Sequence, residues 1–196
     1  MRKATINRKT KETEIKLKIN LDGNGLYNID TGIPFLDHML ELFSKHGFFD
    51  LEIKAVGDLE VDCHHTMEDI GLVLGQAVSE ALGDRSGIKR YGFFTLPMDE
   101  TCITATLDLS GRPYLVYEIK PPNQFINNID VRLFNEFFQA LSVKAGMNLH
   151  LLQQSGGETH HVIEATFKAF AKALDIAVSY DDRLNGEVLS TKGVLI

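Results

Sequence analysis

The chain contains an internal repeat, which constrains its fold more than any other feature of the sequence. Three segments of the first half recur in the same order in the second half, and each pair shares its pattern of apolar residues. A duplicated structural unit is the simplest explanation, because two copies are too few for a solenoid. The matched segments are Ile15–Gly23 with Ile103–Gly111, Phe35–Ile53 with Leu133–Leu151, and His64–Leu82 with His160–Val178.

The repeated patterns indicate both strands and helices. In Ile15–Gly23 and Ile103–Gly111 apolar and polar residues alternate and a glycine follows, which is typical of a half-buried strand that ends in a turn. The last pair of segments instead has apolar residues at helical spacing. We therefore predict an α+β fold in which each half has the order strand–strand–helix–strand–strand–helix. The halves span 1–92 and 93–196 and form one compact unit, with sheets packed against helices.

Composition excludes several classes of protein. The chain has 27 acidic and 20 basic residues, a net charge of −7, which argues against a surface that coats nucleic acid. Its cysteines, Cys63 and Cys102, cannot form a disulfide framework, as expected in a reducing compartment. No apolar run approaches the roughly 18–20 residues of a membrane helix, and no apolar signal core follows the basic start. We expect a soluble cytoplasmic protein with neither nucleic-acid nor membrane partners.

Both halves contain the string HHxxE at the start of a predicted helix. The glutamate follows the first histidine by four positions and the second by three, so it shares a helix face with both. A single HxxE is usually a solvated helix face, but its occurrence in both halves favours metal binding. Adjacent histidines point apart, so we expect two ions, each completed by groups from outside its own helix. The residues are His64, His65 and Glu68, and His160, His161 and Glu164.

The repeat alignment adds two candidate ligands, His38 in the first half and Glu136 at the matching place in the second. A set of imidazoles and carboxylates suits Mn, Fe, Co or Zn, and the lack of thiolates argues against a structural zinc site. The single histidines His46 and His150 are expected to be structural. Asp69 is expected either to favour the positive helix N-terminus or to orient a ligating histidine.

Four basic residues are candidates for binding an anion. They are Arg90, Arg112 in the turn SGRPY, Lys168 one turn beyond the second HHxxE, and Lys192 near the C-terminus. Taken singly, each is expected to be a solvated surface charge. If the fold brings them together beside the metals, they form a phosphate clamp.

Several strings together resemble the imidazoleglycerol-phosphate dehydratase family of histidine biosynthesis: FLDHML, DCHHTMEDIG, PMDE, DLSGRPYL, GGETHHVIEATFKAFAKAL and STKGVL. The resemblance runs over essentially the whole chain and is to the single-function form. It implies a duplicated unit similar to domain 2 of ribosomal protein S5. It also implies two Mn²⁺ ions per active site and a homo-oligomer of 24 subunits whose active sites are shared between subunits.

The resemblance also implies roles for individual residues. The family's metal ligands correspond here to His38, His64, His65, Glu68, His160, His161 and Glu164. Its phosphate contacts correspond to Arg90, Arg112, Lys168, Ser190 and Lys192. Glu12 matches a family glutamate placed near the glycerol carbons of the substrate. Many members have a histidine where this chain has Glu136; a carboxylate can also bind metal, so Glu136 is expected to be the eighth ligand.

The implied activity is the dehydration of D-erythro-imidazole glycerol phosphate to imidazole acetol phosphate, a lyase reaction. The proton leaves a carbon that has no adjacent carbonyl, so the imidazole ring must supply electrons. Metals on the ring nitrogens favour an imidazolate, which expels the neighbouring hydroxyl and gives a diazafulvene-like intermediate. The expected catalytic residues are Glu12, Glu164, His65 and His161, and either glutamate can be the base.

Two other functions agree with the same residues. A dinuclear metallohydrolase for phosphoesters also combines histidine and carboxylate ligands with basic residues, although such sites usually have more aspartates. Alternatively, the metals could only hold an oligomer together, without catalysis. Release of phosphate distinguishes the first alternative from a dehydratase, and turnover of the substrate distinguishes the second.

Overall fold

Two four-stranded sheets and four helices make up the fold of the computed structural model, which describes residues 2–195. The first sheet contains β1 (Lys3–Lys9), β2 (Thr13–Asn20), β3 (Tyr27–Asp30) and β4 (Asp50–Gly57). The second contains β5 (Tyr91–Met98), β6 (Thr101–Asp108), β7 (Tyr114–Glu118) and β10 (Asn148–Ser155), while β8 (Phe125–Ile126) and β9 (Ile129–Asp130) pair separately. The helices are α1 (Pro34–Gly47), α2 (His64–Leu82), α3 (Leu133–Ala145) and α4 (Thr159–Val178), and a 3-10 helix spans Asp182–Leu184.

The two sheets repeat one topology. Their strand orders are β1-β2-β4-β3 and β5-β6-β10-β7. All neighbouring strands are antiparallel except β3 with β4 and β7 with β10, which are parallel. Parallel neighbours need a crossover connection, and α1 and α3 provide these crossovers. The duplicated α+β unit expected from the sequence is therefore present as two sheets with two helices each.

The order of elements within each unit differs from the prediction in one respect. The third strand of each unit precedes the first helix, whereas the prediction placed a further strand after it. The strand β3 has only four residues, none of them buried, so the alternation in Tyr27–Asp30 is too short to identify a strand from the sequence. The first strand of the second sheet, β5, begins at Tyr91, close to the predicted boundary after residue 92.

The helices lie between the two sheets, and they pack crosswise, which means that each helix of one half packs on a helix of the other half. Helices α1 and α2 contact the first sheet, and α3 and α4 contact the second. Between these layers α1 packs on α4, where Phe43 stacks on Phe170 at 5.6 Å, and α2 packs on α3. Buried residues of both halves form one continuous core. Within residues 2–195, no helix combines the length and the apolarity needed to cross a bilayer.

Two glycines allow α2 and α3 to approach very closely. A Cβ at Gly71 would lie 2.5 Å from the carbonyl oxygen of Phe137, and one at Gly75 would lie 2.4 Å from that of Leu141. Any larger residue would force the helices apart, because these neighbours are backbone atoms. The close packing of α2 on α3 therefore depends on glycine at these two positions.

A buried arginine joins the end of α2 to the second half. Arg85 is 7% exposed, and its guanidinium donates hydrogen bonds to the carbonyls of Leu109 (2.8 Å), Ala145 (2.8 Å) and Gly146 (3.1 Å). Burial lowers the pKa of this guanidinium. Arg85 thereby satisfies carbonyls at the end of α3 and in the segment that leads to Arg112.

Candidate active site and metal centre

Two histidines and a glutamate from opposite halves of the chain converge between α1 and α4. His38 lies on α1, and His160 and Glu164 lie one turn apart on α4. Glu164 Oε2 is 3.1 Å from His160 Nε2 and 3.4 Å from His38 Nε2. The three residues offer ligand atoms that all lie within 4.8 Å of one another. We call this set the cross-half ligand group.

Packing and charge hold the cross-half ligand group in place. The ring of His160 meets Phe35 edge-on at 5.1 Å. Lys168, one turn further along α4, forms an ion pair with Glu164. Burial alone would raise the pKa of Glu164, but hydrogen bonds from Lys168 and His160 together with the charge of Lys168 outweigh burial and lower it. The carboxylate is therefore ionised at neutral pH, as a metal ligand must be.

The first-half string is arranged similarly, but among residues 2–195 it forms no three-residue ligand group with Glu136 of α3. His64 Nε2 lies 3.5 Å from Glu68 Oε2, and both side chains are nearly half exposed. Glu136, expected to join them, lines a separate cleft with Lys120 and Arg132. Among residues 2–195 the only other three-residue group with converging ligand atoms consists of Asp99, Glu100 and His161.

The two histidines of each pair point in different directions, as the sequence predicts. The rings of His64 and His65 are nearly perpendicular with centroids 6.0 Å apart, and those of His160 and His161 are 6.4 Å apart. In each pair the first histidine faces the glutamate of its own helix. The second histidine instead faces a carboxylate from a loop outside the helix.

These loop carboxylates are Asp58 and Glu100, which sequence reasoning did not identify. Asp58 Oδ2 lies 3.0 Å from Nδ1 of His65, and Glu100 Oε2 lies 3.1 Å from Nδ1 of His161. Each carboxylate raises the pKa of its histidine through this hydrogen bond. The hydrogen bond with His161 in turn lowers the pKa of Glu100 to about 2. The sequence signal was weak, since both residues are acidic groups in loops.

A close contact between β4 and α2 places Asp58 and brings Glu12 to the same region. A Cβ at Gly57, the last residue of β4, would lie 2.0 Å from Thr66 Oγ1 near the start of α2. The next residue, Asp58, donates its backbone N–H to the carbonyl of Glu12 at 3.1 Å. Glu12 lies in the turn between β1 and β2, and its charge contributes to the raised pKa of His65.

Asp69 has neither of the two roles expected from the sequence. It is buried, accepts a hydrogen bond from the hydroxyl of Thr13 and forms an ion pair with Arg8 at 2.8 Å. Asp69 therefore ties α2 to the β1–β2 hairpin that carries Glu12. Cys63 is 7% exposed, and burial raises the pKa of its thiol.

The candidate phosphate-binding residues lie in two separate places. Arg90, Arg112, Ser190 and Lys192 line one cleft, whereas Lys168 lies on α4 beside Glu164. The guanidinium of Arg90 binds both oxygens of Asp108, which raises the pKa of the arginine. It also donates to the carbonyl of Leu189 at 2.7 Å and so holds the C-terminal segment over the cleft.

Comparisons with known proteins agree with these features. The family model described as imidazoleglycerol-phosphate dehydratase matches residues 31–174. A relative of that name from Lachnoclostridium phytofermentans is 58% identical over 99% of this chain and 98% of its own length. Another from Geobacter sulfurreducens is 55% identical over 99% of both chains.

Solved structures show the same fold. The imidazoleglycerol-phosphate dehydratase from Staphylococcus aureus N315 superposes with a TM-score of 0.83 at 38% identity, covering 91% of this chain and 99% of that one. The enzyme from Pyrococcus furiosus, solved in complex with (S)-C348, superposes with a TM-score of 0.81 at 35% identity, covering 97% and 100%. The chain therefore belongs to the imidazoleglycerol-phosphate dehydratase family and is a hydro-lyase.

Proposed function

We propose that the chain dehydrates D-erythro-imidazole glycerol phosphate to imidazole acetol phosphate in histidine biosynthesis, using Mn²⁺. The observation that carries this proposal is the convergence of His38, His160 and Glu164 in a chain of this family. The substrate has an imidazole ring and a phosphate. The cross-half ligand group can hold a metal ion that binds the ring, and the cleft lined by Arg112 and Lys192 can bind the phosphate.

The donor atoms present fit a divalent ion of the manganese type. Two imidazole nitrogens and one carboxylate oxygen lie within 4.8 Å of one another, and none of them is a thiolate. Such a set suits Mn²⁺ and its neighbours in the first transition series. We propose that the cross-half ligand group holds one of two Mn²⁺ ions in each active site. The second ion would be held by ligands drawn from the remaining candidates, which are His64, His65, Glu68, Glu136 and His161.

The reaction requires that a C–O bond break, that a proton leave the neighbouring carbon and that the resulting enol become a ketone. Bound metal supplies a positive charge that favours loss of a proton from the imidazole ring of the substrate. Arg112 and Lys192 bind the phosphate and thereby hold the reacting carbons in position. The carboxylate of Glu12 accepts the carbon-bound proton. Glu12 is the better base because Glu164 already pairs with His160 and Lys168.

A homo-oligomer with shared active sites, of 24 subunits as the resemblance implies, is part of the proposal. On one chain Glu12 lies beside Asp58 and His65, whereas Glu164 lies with His38 and His160. A second copy of the chain can bring its Glu12 to the cross-half ligand group. This arrangement accounts for catalytic residues that a single chain holds at different places.

The proposal is tested by removing metal, restoring Mn²⁺ and following formation of the ketone from imidazole glycerol phosphate. We expect turnover only with added metal, and its loss in His64→Ala and in His160→Ala. The matched control is His150→Ala, because this histidine lies on β10, where its ring is 6.5 Å from Tyr114.

Three outcomes would contradict the proposal. Release of inorganic phosphate without ketone would indicate a phosphoester hydrolase. An intact metal-bound oligomer without turnover would indicate a structural role for the metal. Full turnover in Glu12→Gln, with loss of turnover only in Glu164→Gln, would move the role of base to Glu164.

A further inference from the structure

The second histidines of the two HHxxE strings are both held by carboxylates from outside their helices. The contacts are Asp58 Oδ2 to His65 Nδ1 at 3.0 Å and Glu100 Oε2 to His161 Nδ1 at 3.1 Å. Both histidines use the same ring nitrogen. A neutral imidazole that donates from Nδ1 leaves the lone pair of Nε2 free for a metal.

The two carboxylates occupy positions that the sequence repeat does not relate. Asp58 follows β4, and the residue at the matching place after β10 is Gly156. Glu100 lies in the β5–β6 turn, where the first half has Glu12 in the β1–β2 turn. Duplication alone therefore does not explain why both second histidines have the same contact. Two loops at non-equivalent positions of the repeat therefore make the same carboxylate contact with Nδ1 of a histidine.

Each carboxylate is itself fixed by its surroundings. The backbone of Asp58 is held by Glu12 at 3.1 Å and by Val61 at 2.8 Å, and its second oxygen, Oδ1, is buried without a hydrogen-bond partner among residues 2–195. Glu100 accepts hydrogen bonds from the backbone N–H groups of Gly157 (3.3 Å) and Glu158 (3.1 Å). These contacts distinguish the two pairs from freely moving surface ion pairs, which contribute little.

We propose that Asp58 and Glu100 are positioning residues that fix the ring orientation and the Nδ1–H tautomer of His65 and His161, so that each presents Nε2 to a metal ion. The inference rests on the proposed metal-dependent function and extends it to two residues outside the ligand set. Neither carboxylate needs to touch the ion or the substrate. Each acts only through its histidine.

The test is the affinity of metal-free protein for Mn²⁺, measured by the electron paramagnetic resonance signal of the free ion. We expect Asp58→Ala and Glu100→Ala each to weaken binding at one class of site by about 10–100-fold. Asp58→Asn and Glu100→Gln should recover part of this loss, because an amide oxygen still accepts a hydrogen bond from Nδ1–H. Circular dichroism checks that each variant is folded, and the amide variants replace any alanine variant that is not.

A double-mutant cycle separates positioning from a general effect on structure. In a His65→Ala background, Asp58→Ala should have no further effect on Mn²⁺ affinity, and the same holds for Glu100→Ala in His161→Ala. The matched control is Glu52→Ala, which removes an exposed carboxylate that pairs with Lys18 at 2.8 Å. It should bind Mn²⁺ like the wild type.

The outcomes distinguish this inference from the proposed function. If the wild type binds Mn²⁺ and turns over substrate while all four loop variants bind Mn²⁺ equally well, the inference is wrong and the function stands. An undiminished effect of Asp58→Ala in the His65→Ala background also overturns it. If the wild type binds no Mn²⁺, both proposals fail.

Discussion

His38 on α1 and Glu164 on α4 lie 3.4 Å apart, between Nε2 and Oε2, although they belong to opposite halves of the repeat. The first-half histidine therefore completes the ligand group of the second-half helix. This relationship follows from the packing of α1 on α4, and it makes His38 a direct test of the cross-half ligand group.

Replacing His38 with alanine should remove one imidazole from the cross-half ligand group without disturbing the core, because this side chain is 42% exposed. We expect kcat/KM with Mn²⁺ to fall by at least about 100-fold. The number of tightly bound Mn²⁺ ions per chain should fall as well. Steady-state kinetics and equilibrium dialysis measure the two effects, and unchanged metal content would show that His38 is not a ligand.

Replacing Arg85 with alanine should strongly destabilise the fold. The substitution removes the side-chain donor from the buried carbonyls of Leu109 and Ala145, and one of the two donors from the carbonyl of Gly146, which also accepts from Gly111 N–H. We expect the free energy of unfolding to fall by about 3 kcal/mol or more. The shift in the urea midpoint measures this loss. Lys120→Ala, at a side chain that is 80% exposed, is the control and should change stability by less than about 0.5 kcal/mol.

Replacing Arg112 with alanine should weaken substrate binding through the phosphate. Loss of a charge-assisted hydrogen bond corresponds to a rise in KM of about 10–100-fold. Mn²⁺ affinity should not change, because Arg112 lines the cleft that also contains Lys192 and lies outside the cross-half ligand group. Arg132→Ala is the control, since Arg132 lines a different cleft. A fall in kcat at constant KM would argue against a role in phosphate binding.

Asp181 should contribute to stability only above acidic pH. A hydrogen bond from Arg183 lowers the pKa of Asp181 to about 2, below the value of about 3.9 expected for an unfolded chain. Because the folded-state pKa is lower, the contribution is fully present above about pH 4 and is lost as the pH falls toward 2. Urea midpoints of the wild type and Asp181→Asn should therefore differ at pH 7 and converge near pH 2. A constant difference across this range would contradict the assignment.

Much of the local structure could be predicted from the sequence. The alternation in Ile15–Gly23 predicted β2, and the apolar spacing after each HHxxE predicted α2 and α4. These elements are long and strongly periodic, so the pattern alone determines their type. The short strand β3 was not predicted, because four residues carry too little pattern and its position depends on pairing with β4.

The motifs of the site could be identified in the sequence, but it was harder to predict which residues meet there. The sequence identified His38 and Glu164 as candidate ligands, but their meeting depends on which helices pack together. Asp58 and Glu100 were missed because an acidic residue in a loop has no periodicity, and only the fold brings it to a histidine ring. The position of Lys168 beside Glu164 follows from their i,i+4 spacing, whereas its separation from the cleft that Arg112 lines could only be seen in the fold.

The crosswise packing of the helices has a thermodynamic consequence. Neither half of the chain contains all three members of the cross-half ligand group, so this group exists only when the two halves are docked. An ion that binds there favours the docked state over any state in which α1 and α4 separate, and the gain in stability grows with the logarithm of its concentration. The ion would thus act as a reversible cross-link between the two copies of the repeat.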